Sequence, residues 1–210
     1  MPSPITILPC HLSDFPSLTH AMISAFSEDA LFASAFPNPM TSSQREEHYQ
    51  YRLRRLTKAA KNPKMHWFKA VDEGIGEVVG VCSWRAPKGE QQDAAKAGDL
   101  EQLADESEGE LPRFVKKEVF GEYDEMMKVM KEELGLEARK DFWWRGVGSQ
   151  LLKHGLSQVV DREGGGCYLE ASPAGASLYR RYGFEDRGVA KMMGGDYNII
   201  AMLRPVQRQN

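Results

Sequence analysis

The chain has few cysteines and no long apolar run, and these absences exclude several classes of protein. Its three cysteines, Cys10, Cys82 and Cys167, are far apart and odd in number among 210 residues. We therefore expect no disulfide framework, and we expect the protein to function in a reducing compartment. No apolar run reaches the roughly 18 residues of a membrane helix, and the N-terminus lacks the basic and apolar regions of a secretory signal. We predict a cytoplasmic or nuclear protein without a membrane segment.

Two further absences concern metal ions and nucleic acid. The histidines and cysteines show none of the close spacings that are typical of zinc ligands, so no metal is expected. Lys and Arg number 27 against 30 Asp and Glu, which gives a net charge of −3. This balance disfavours a large interface with a phosphate backbone, and we predict no nucleic-acid partner.

The length and the 41% of hydrophobic residues fit a single globular domain over residues 1–210. Residues 88–133 differ in composition, since they carry 14 acidic and 7 basic residues. We interpret them as an insertion whose first part, about residues 99–110, is exposed. In its second part an apolar stripe predicts a helix over about residues 113–133 that packs on the core through Val115, Val119, Tyr123, Met126 and Met130.

Elsewhere, hydrophobic periodicity and turn residues predict alternating strands and helices. We expect strands at about residues 5–8, 66–71, 77–85, 167–172, 184–190 and 197–203, and helices at about residues 14–26, 41–60, 147–160 and 173–182. This order indicates an α/β or α+β fold around one mixed sheet.

A glycine-containing loop precedes the helix predicted at residues 147–160. Gly146 and Gly148 permit a close approach of the backbone to a ligand, and the free N–H groups at a helix start favour a phosphate. We interpret the loop as a pyrophosphate site, with a plain tight turn as the alternative. It is not a dinucleotide fingerprint, because Leu151 occupies the position of the third glycine, and it is not a P-loop.

Two motifs together resemble those of the GNAT superfamily of N-acetyltransferases. One is Arg145-Gly146-Val147-Gly148, and the other is Leu178-Tyr179-Arg180-Arg181-Tyr182-Gly183-Phe184, which follows a predicted strand. The run from Tyr168 to Gly175 looks especially like fungal members. The resemblance implies a central mixed, mostly antiparallel sheet flanked by helices, with a splayed parallel strand pair at an acyl-CoA site.

The resemblance also implies roles for particular residues. Backbone amides of the loop would hold the pyrophosphate of acetyl-CoA, and Ser172 and Gly175 stand at positions expected to contact it. Tyr179 falls where such enzymes place a hydroxyl that protonates the departing thiolate; a buried, hydrogen-bonded tyrosine is the alternative. The loop residues are Arg145, Gly146, Val147, Gly148 and Ser149.

Attack on a thioester needs a neutral amine and therefore a base. Glu170 shares one face of its predicted strand with Tyr168 and Ser172, so we expect it to point into the same site as Ser172. A structural carboxylate is the alternative role of Glu170. Glu77 and Asp141 are further candidates for the base.

The chain departs from the superfamily pattern before the loop. Trp143 stands where Gln or Arg is expected, and the apolar strand that should precede it is short, with Leu134, Leu136 and Ala138 as its apolar residues. In the superfamily this strand supplies an N–H to the thioester oxygen, and loss of such a donor lowers the rate by about 10² to 10³.

We therefore predict an N-acetyltransferase that moves acetyl from acetyl-CoA directly to a primary amine of a small molecule or peptide. The alternatives are a catalytically impaired acyl-CoA-binding or interaction protein and a purely structural partner-binding domain. We expect a monomer or homodimer. No motif names the acceptor, and Phe32, Phe36 and Met40 either line an apolar pocket or pack on the core.

Overall fold

The computed structural model describes residues 3–85, 111–133, 148–162 and 165–206, which form two three-stranded sheets with helices packed on them. The first sheet has the order β1 (Ile5–Pro9), β2 (Met65–Asp72) and β3 (Glu77–Arg85). In the second sheet β6 (Tyr197–Arg204) lies between β4 (Cys167–Ala171) and β5 (Glu185–Met192). All these pairings are antiparallel.

This mixed α/β architecture confirms the predicted fold class. The predicted parallel strand pair depends on the chain before Gly146, and residues 134–147 lie outside the described residues. The exposed first part of the acidic segment, residues 99–110, also lies outside them.

The helices occupy the predicted places with one addition. In chain order they are α1 (Phe15–Phe26), α2 (Ala30–Ala35), α3 (Ser42–Ala60), α4 (Lys117–Glu133), α5 (Gly148–Gly155) and α6 (Ala176–Arg181). A turn of π-helix, Leu156–Val160, follows α5. The helix predicted at residues 147–160 is thus an α-helix that continues as a π-helix over its last five residues.

The start of α1 agrees with the predicted helix at about residues 14–26, but the Asp14 side chain does not cap it. Residues Leu12–Asp14 form a short 3₁₀ turn before the helix. One carboxylate oxygen of Asp14 lies 2.6 Å from Lys69 Nζ on β2, and the other accepts the N–H of His11 at 2.7 Å. These two contacts occupy the oxygen atoms that a helix cap would use.

Helix α2 was not predicted, and its stability comes from a distant residue. Asp29 Oδ1 accepts the N–H groups of Leu31 and Phe32 at 3.1 and 3.2 Å, as an N-cap does. Asp29 Oδ2 accepts the hydroxyl of Tyr197, which lies on β6, at 2.7 Å. Six residues make a marginal helix alone, so this contact with the second sheet helps to hold it.

Helix α4 docks on the core through nearly the predicted face, although it begins at Lys117 and not near residue 113. Met127 and Met130 are buried, and Tyr123 and Met126 pack against the same cluster. We call this cluster the α4 core; it also contains Tyr168, Ala190, Met192, Tyr197, Ile199 and Ala201.

A larger cluster, the α5 core, lies where α5 packs on the first sheet. It joins β3 and β4 through buried residues that include Cys82, Trp84, Leu151, Leu152, Leu169 and Met202. Gly155 permits this approach, because a Cβ atom there would lie 1.9 Å from the indole of Trp84. The two sheets therefore share one apolar interior beneath α5.

Candidate functional site

Strand β4 carries Glu170, the candidate base, in a half-buried position. The hydroxyl of Tyr123, on α4, donates to Glu170 Oε2 at 2.6 Å, and the hydroxyl of Tyr168 donates to Oε1 at 3.4 Å. Burial and the neighbouring Glu170 carboxylate raise the pKa of Tyr168 above its ordinary value, so its proton stays in place.

Successive side chains along β4 point alternately toward the α4 core and the α5 core. Tyr168 belongs to the α4 core, whereas Cys167, Leu169 and Ala171 belong to the α5 core. Glu170 follows the register of Tyr168 and lies on the side of α4. Strand β4 therefore separates the side chain of Glu170 from the side chains of the α5 core.

Tyr179, the candidate acid, lies in the α5 core. It is 5% exposed, and its ring packs edge-on against Phe184 with ring centroids 5.7 Å apart. Burial, and then the thiols of Cys167 and Cys82, raise the pKa of Tyr179 above its ordinary value. Since these thiols lie on β4 and β3, the hydroxyl lies near the place where the two sheets meet. It stays protonated at neutral pH.

The structure therefore places Tyr179 and Glu170 on opposite faces of β4. One edge of β4 pairs with β6, and in the described part of the chain no strand pairs with its other edge.

Ser172 and Gly175 lie at the turn between β4 and α6. The Ser172 hydroxyl accepts the N–H of Gly175 at 3.3 Å and also bonds the hydroxyl of Tyr197. A Cβ atom at Gly175 would lie 3.2 Å from the ring of Tyr179. The serine is engaged within the protein, and the glycine leaves room for the tyrosine ring.

The predicted pyrophosphate loop is described in part. Gly148 is buried at the first residue of α5, and Ser149 follows it exposed to solvent. The first N–H groups of a helix have no acceptor within the helix, and its dipole favours an anion there. Arg145, Gly146 and Val147 lie outside the described residues, as do Asp141, Trp143 and the short apolar run at residues 134–138.

Glu77, one of the two further candidates for the base, does not lie at this site. It is exposed at the turn of the β2–β3 hairpin, opposite Asp72. It belongs to the first sheet, whereas Glu170 belongs to the second.

Neither a thiol nucleophile nor a metal centre accompanies the site. Burial raises the pKa of Cys82 to about 12, so this thiol stays protonated and unreactive. Within the described ranges no group of His, Cys, Asp and Glu side chains has the arrangement of a metal site. None of the described helices is both long and apolar enough to span a bilayer.

Sequence reasoning missed two features of the site. Tyr123 was assigned to the packing face of its helix, and its hydroxyl contact with Glu170 was not foreseen. The cap of α2 was missed as well, although Asp29 before Ala-Leu-Phe-Ala-Ser-Ala is a recognisable N-cap signal.

Comparison with known proteins finds no match to a protein-family model or to a curated protein sequence, but it does find solved structures. A Corynebacterium glutamicum protein described as "histone acetyltransferase HPA2 and related acetyltransferase" superposes with a TM-score of 0.60 at 22% identity, over 100% of this chain and 99% of that one. An acetyltransferase of the GNAT family from Streptococcus pneumoniae matches with a TM-score of 0.53 at 13% identity, over 97% and 100%. The chain has the fold of the GNAT acetyltransferases.

A third neighbour shows that the match extends beyond bacterial acetyltransferases. The C-terminal condensation domain of Ebony, solved in complex with beta-alanyl-dopamine, matches with a TM-score of 0.64 at 10% identity, over 97% of this chain and 100% of that one. At these identities the neighbours establish the GNAT fold, and function has to be argued from the site.

Proposed function

We propose that the protein transfers an acetyl group from acetyl-CoA to a primary amine by direct attack, without a covalent enzyme intermediate. The observation that carries the proposal is the position of Glu170, a half-buried carboxylate on β4 that accepts a hydrogen bond from the hydroxyl of Tyr123. Support comes from Tyr179 on the other face of the strand and from the GNAT fold.

The residues present fit acetyl-CoA. Gly148 opens α5, so the positive end of the helix dipole and the amides of Gly148 and Ser149 are available to a pyrophosphate. Arg145, Gly146 and Val147, to which the resemblance gives the same role, lie outside the described residues. Acetyl-CoA supplies an activated acetyl group and a thiolate leaving group. Ser172 and Gly175 would border it at the end of β4.

Glu170 takes a proton from the substrate ammonium group and thereby makes the nitrogen nucleophilic. One of its oxygens, Oε2, is held by Tyr123, which fixes the orientation of the carboxylate. Tyr179 gives its hydroxyl proton to the departing sulfur. The nitrogen loses two protons on its way from ammonium to amide, one to Glu170 before the attack and one after it. The second replaces the proton that Tyr179 gave to the sulfur, and the first passes from Glu170 to solvent.

A second candidate function is acyl-CoA binding without catalysis. The observation that favours it is the short apolar run of Leu134, Leu136 and Ala138 before the pyrophosphate loop. An incomplete strand there would lack the N–H that stabilises charge on the thioester oxygen, at a cost of about 10² to 10³ in rate.

Thermal denaturation with acetyl-CoA and an assay for released CoA thiol test both candidates. Acetyl-CoA at about a hundredfold excess over Kd should stabilise the protein by about 2.7 kcal/mol. Gly148→Asp, which adds bulk and negative charge at the pyrophosphate, should abolish this stabilisation. Gly121→Asp is the matched control, since Gly121 lies on α4 with nothing within 4 Å of an added Cβ atom.

Glu170→Gln separates binding from catalysis. The variant should keep the stabilisation by acetyl-CoA, while kcat/KM for amine acetylation falls by about 10² to 10⁴. No stabilisation of the wild type at millimolar acetyl-CoA would refute both candidates. Stabilisation without CoA release across a broad panel of amines would favour the second.

A further inference from the structure

A cavity of about 230 Å³ lies between α1, α2 and α3. Its wall is largely aromatic, because the ring centroid of Phe32 lies 5.0 Å from that of Phe26 and 6.3 Å from that of Phe36. An engineered apolar cavity of about 150 Å³ takes up benzene. The space between these helices therefore accommodates one ring, or a branched alkyl chain, with a short substituent.

One guanidinium group borders this apolar cavity. Arg52 Nε donates to His48 Nε2 at 3.2 Å, and the guanidinium carbon lies 4.7 Å from the centre of the Phe32 ring. In the portion of the chain that the structure describes, no carboxylate pairs with Arg52, and its two terminal nitrogen atoms have no protein acceptor. Within the described residues, these N–H groups are therefore left for a ligand in the cavity.

The neighbours of Arg52 do not neutralise its charge. Burial, and then the charge of Arg52, lower the pKa of His48 to about 4, so this histidine is neutral and acts as an acceptor. Arg55 is a second cation, and it donates to the Tyr51 hydroxyl at 2.9 Å. Burial and Arg55 lower the pKa of Arg52 to about 10, so Arg52 remains charged at neutral pH.

The cavity adjoins the helix that holds the candidate base. Phe120 contacts the rings of Phe32 and Phe36, with centroids 6.4 and 6.3 Å apart. One turn further along the same helix, Tyr123 donates to Glu170. The cavity wall and the base therefore meet the same side of α4.

We propose that this cavity binds the apolar, carboxylate-bearing part of the acceptor, so that the acceptor is a small amino acid with an apolar side chain. This inference rests on the proposed acetyl transfer. A planar carboxylate takes two N–H groups of a guanidinium at once, and the apolar group removes aromatic wall from water. An amine without a carboxylate leaves the charge of Arg52 without a partner and binds less well.

Calorimetric titration with phenylacetate tests the cavity without acetyl-CoA. Phenylacetate should bind the wild type at least about tenfold more tightly than the neutral phenylacetamide, because charge-assisted hydrogen bonds are lost in the amide. Arg52→Met should lose this preference. Arg54→Met, two residues along α3 and exposed, is the matched control and should keep it.

A second variant, Ala33→Leu, keeps the positive charge of Arg52 and fills part of the cavity. Ala33 lines the cavity from α2, so the larger side chain should weaken phenylacetate binding about tenfold or more although Arg52 is unchanged. Absent binding, equal binding of the amide, or equal effects of Arg52→Met and Arg54→Met would each overturn the inference.

Turnover connects the cavity with acetyl transfer. In the wild type, kcat/KM for phenylalanine should exceed that for phenylalaninamide by about tenfold or more, and Arg52→Met should remove the difference. Equal rates with the two amines would overturn the acceptor class. Phenylacetate binding without any stabilisation by acetyl-CoA would refute the proposed function, whereas stabilisation without phenylacetate binding would refute this inference alone.

Discussion

The hydroxyl of Tyr123 lies 2.6 Å from Glu170 Oε2, and this contact joins the second part of the acidic segment to strand β4. Helix α4 thus does more than cover apolar surface, since it holds the carboxylate that the proposed reaction needs. The same helix contacts the aromatic wall of the cavity through Phe120. Docking of α4 therefore links Glu170 to the wall of the cavity.

Tyr123→Phe removes one donor from a half-buried carboxylate while it keeps the ring in the α4 core. The free energy of unfolding should fall by about 1 to 2 kcal/mol, at the lower end for a charge-assisted hydrogen bond because the pair is partly exposed. Urea denaturation measures it. Tyr182→Phe is the control, because the Tyr182 hydroxyl makes no hydrogen bond to the residues that the structure describes; equal losses in the two variants would contradict the assignment.

Gly155→Ala should destabilise the protein by about 1 to 3 kcal/mol or more through overpacking. Alanine favours helices, but its Cβ atom here would lie 1.9 Å from the Trp84 indole, which is 1% exposed. Gly121→Ala is the opposite case, because nothing lies within 4 Å of a Cβ atom added there. The gain in helix propensity should therefore stabilise the protein by about 0.5 to 1 kcal/mol. A stable Gly155→Ala variant would show that the indole moves easily.

Elements with strong local signals were predictable from the sequence. Helix α3 begins where Thr41 and Gln44 form a reciprocal pair of caps, and the β2–β3 hairpin follows from its period of two. Helix α2 has a recognisable cap at Asp29, but its six residues are too few for a clear helical period. Its cap is also held by the hydroxyl of Tyr197, 168 residues away, which no local pattern reveals.

The candidate site likewise combines features that follow from local sequence patterns with features that depend on tertiary packing. The position of Glu170 on its strand followed from alternation, but its partner Tyr123 depends on how α4 docks. The placement of Tyr179 on the opposite face of β4 also required the tertiary structure. The position of Arg52 beside an apolar cavity depends on the packing of three helices and could not be read from its own helix.

The buried His48 predicts a loss of stability in acid. Its pKa is about 4 in the folded protein and about 6.5 when it is unperturbed, so the contribution is fully present above pH 6.5 and is lost as the pH falls toward 4. The loss by pH 4 should be on the order of 2 to 3 kcal/mol. The change in unfolding free energy between pH 7.5 and 4.5 should be smaller in His48→Gln than in the wild type, whereas His66→Gln, at an exposed position on β2, should follow the wild type. Equal acid sensitivity in all three proteins would contradict this assignment.

Tyr179→Phe tests the proposed acid with little change in packing. The ring that contacts Phe184 remains, so stabilisation by acetyl-CoA should be nearly unchanged, while kcat for amine acetylation should fall by about 10² or more. Tyr182→Phe, at a half-buried position of the same motif, should keep the wild-type kcat. An unchanged kcat in Tyr179→Phe would assign the hydroxyl to the buried core instead. If the wild type binds acetyl-CoA and acetylates no amine, Tyr179→Phe has no rate to lower, and the acyl-CoA-binding function without catalysis is then the one that the chain performs.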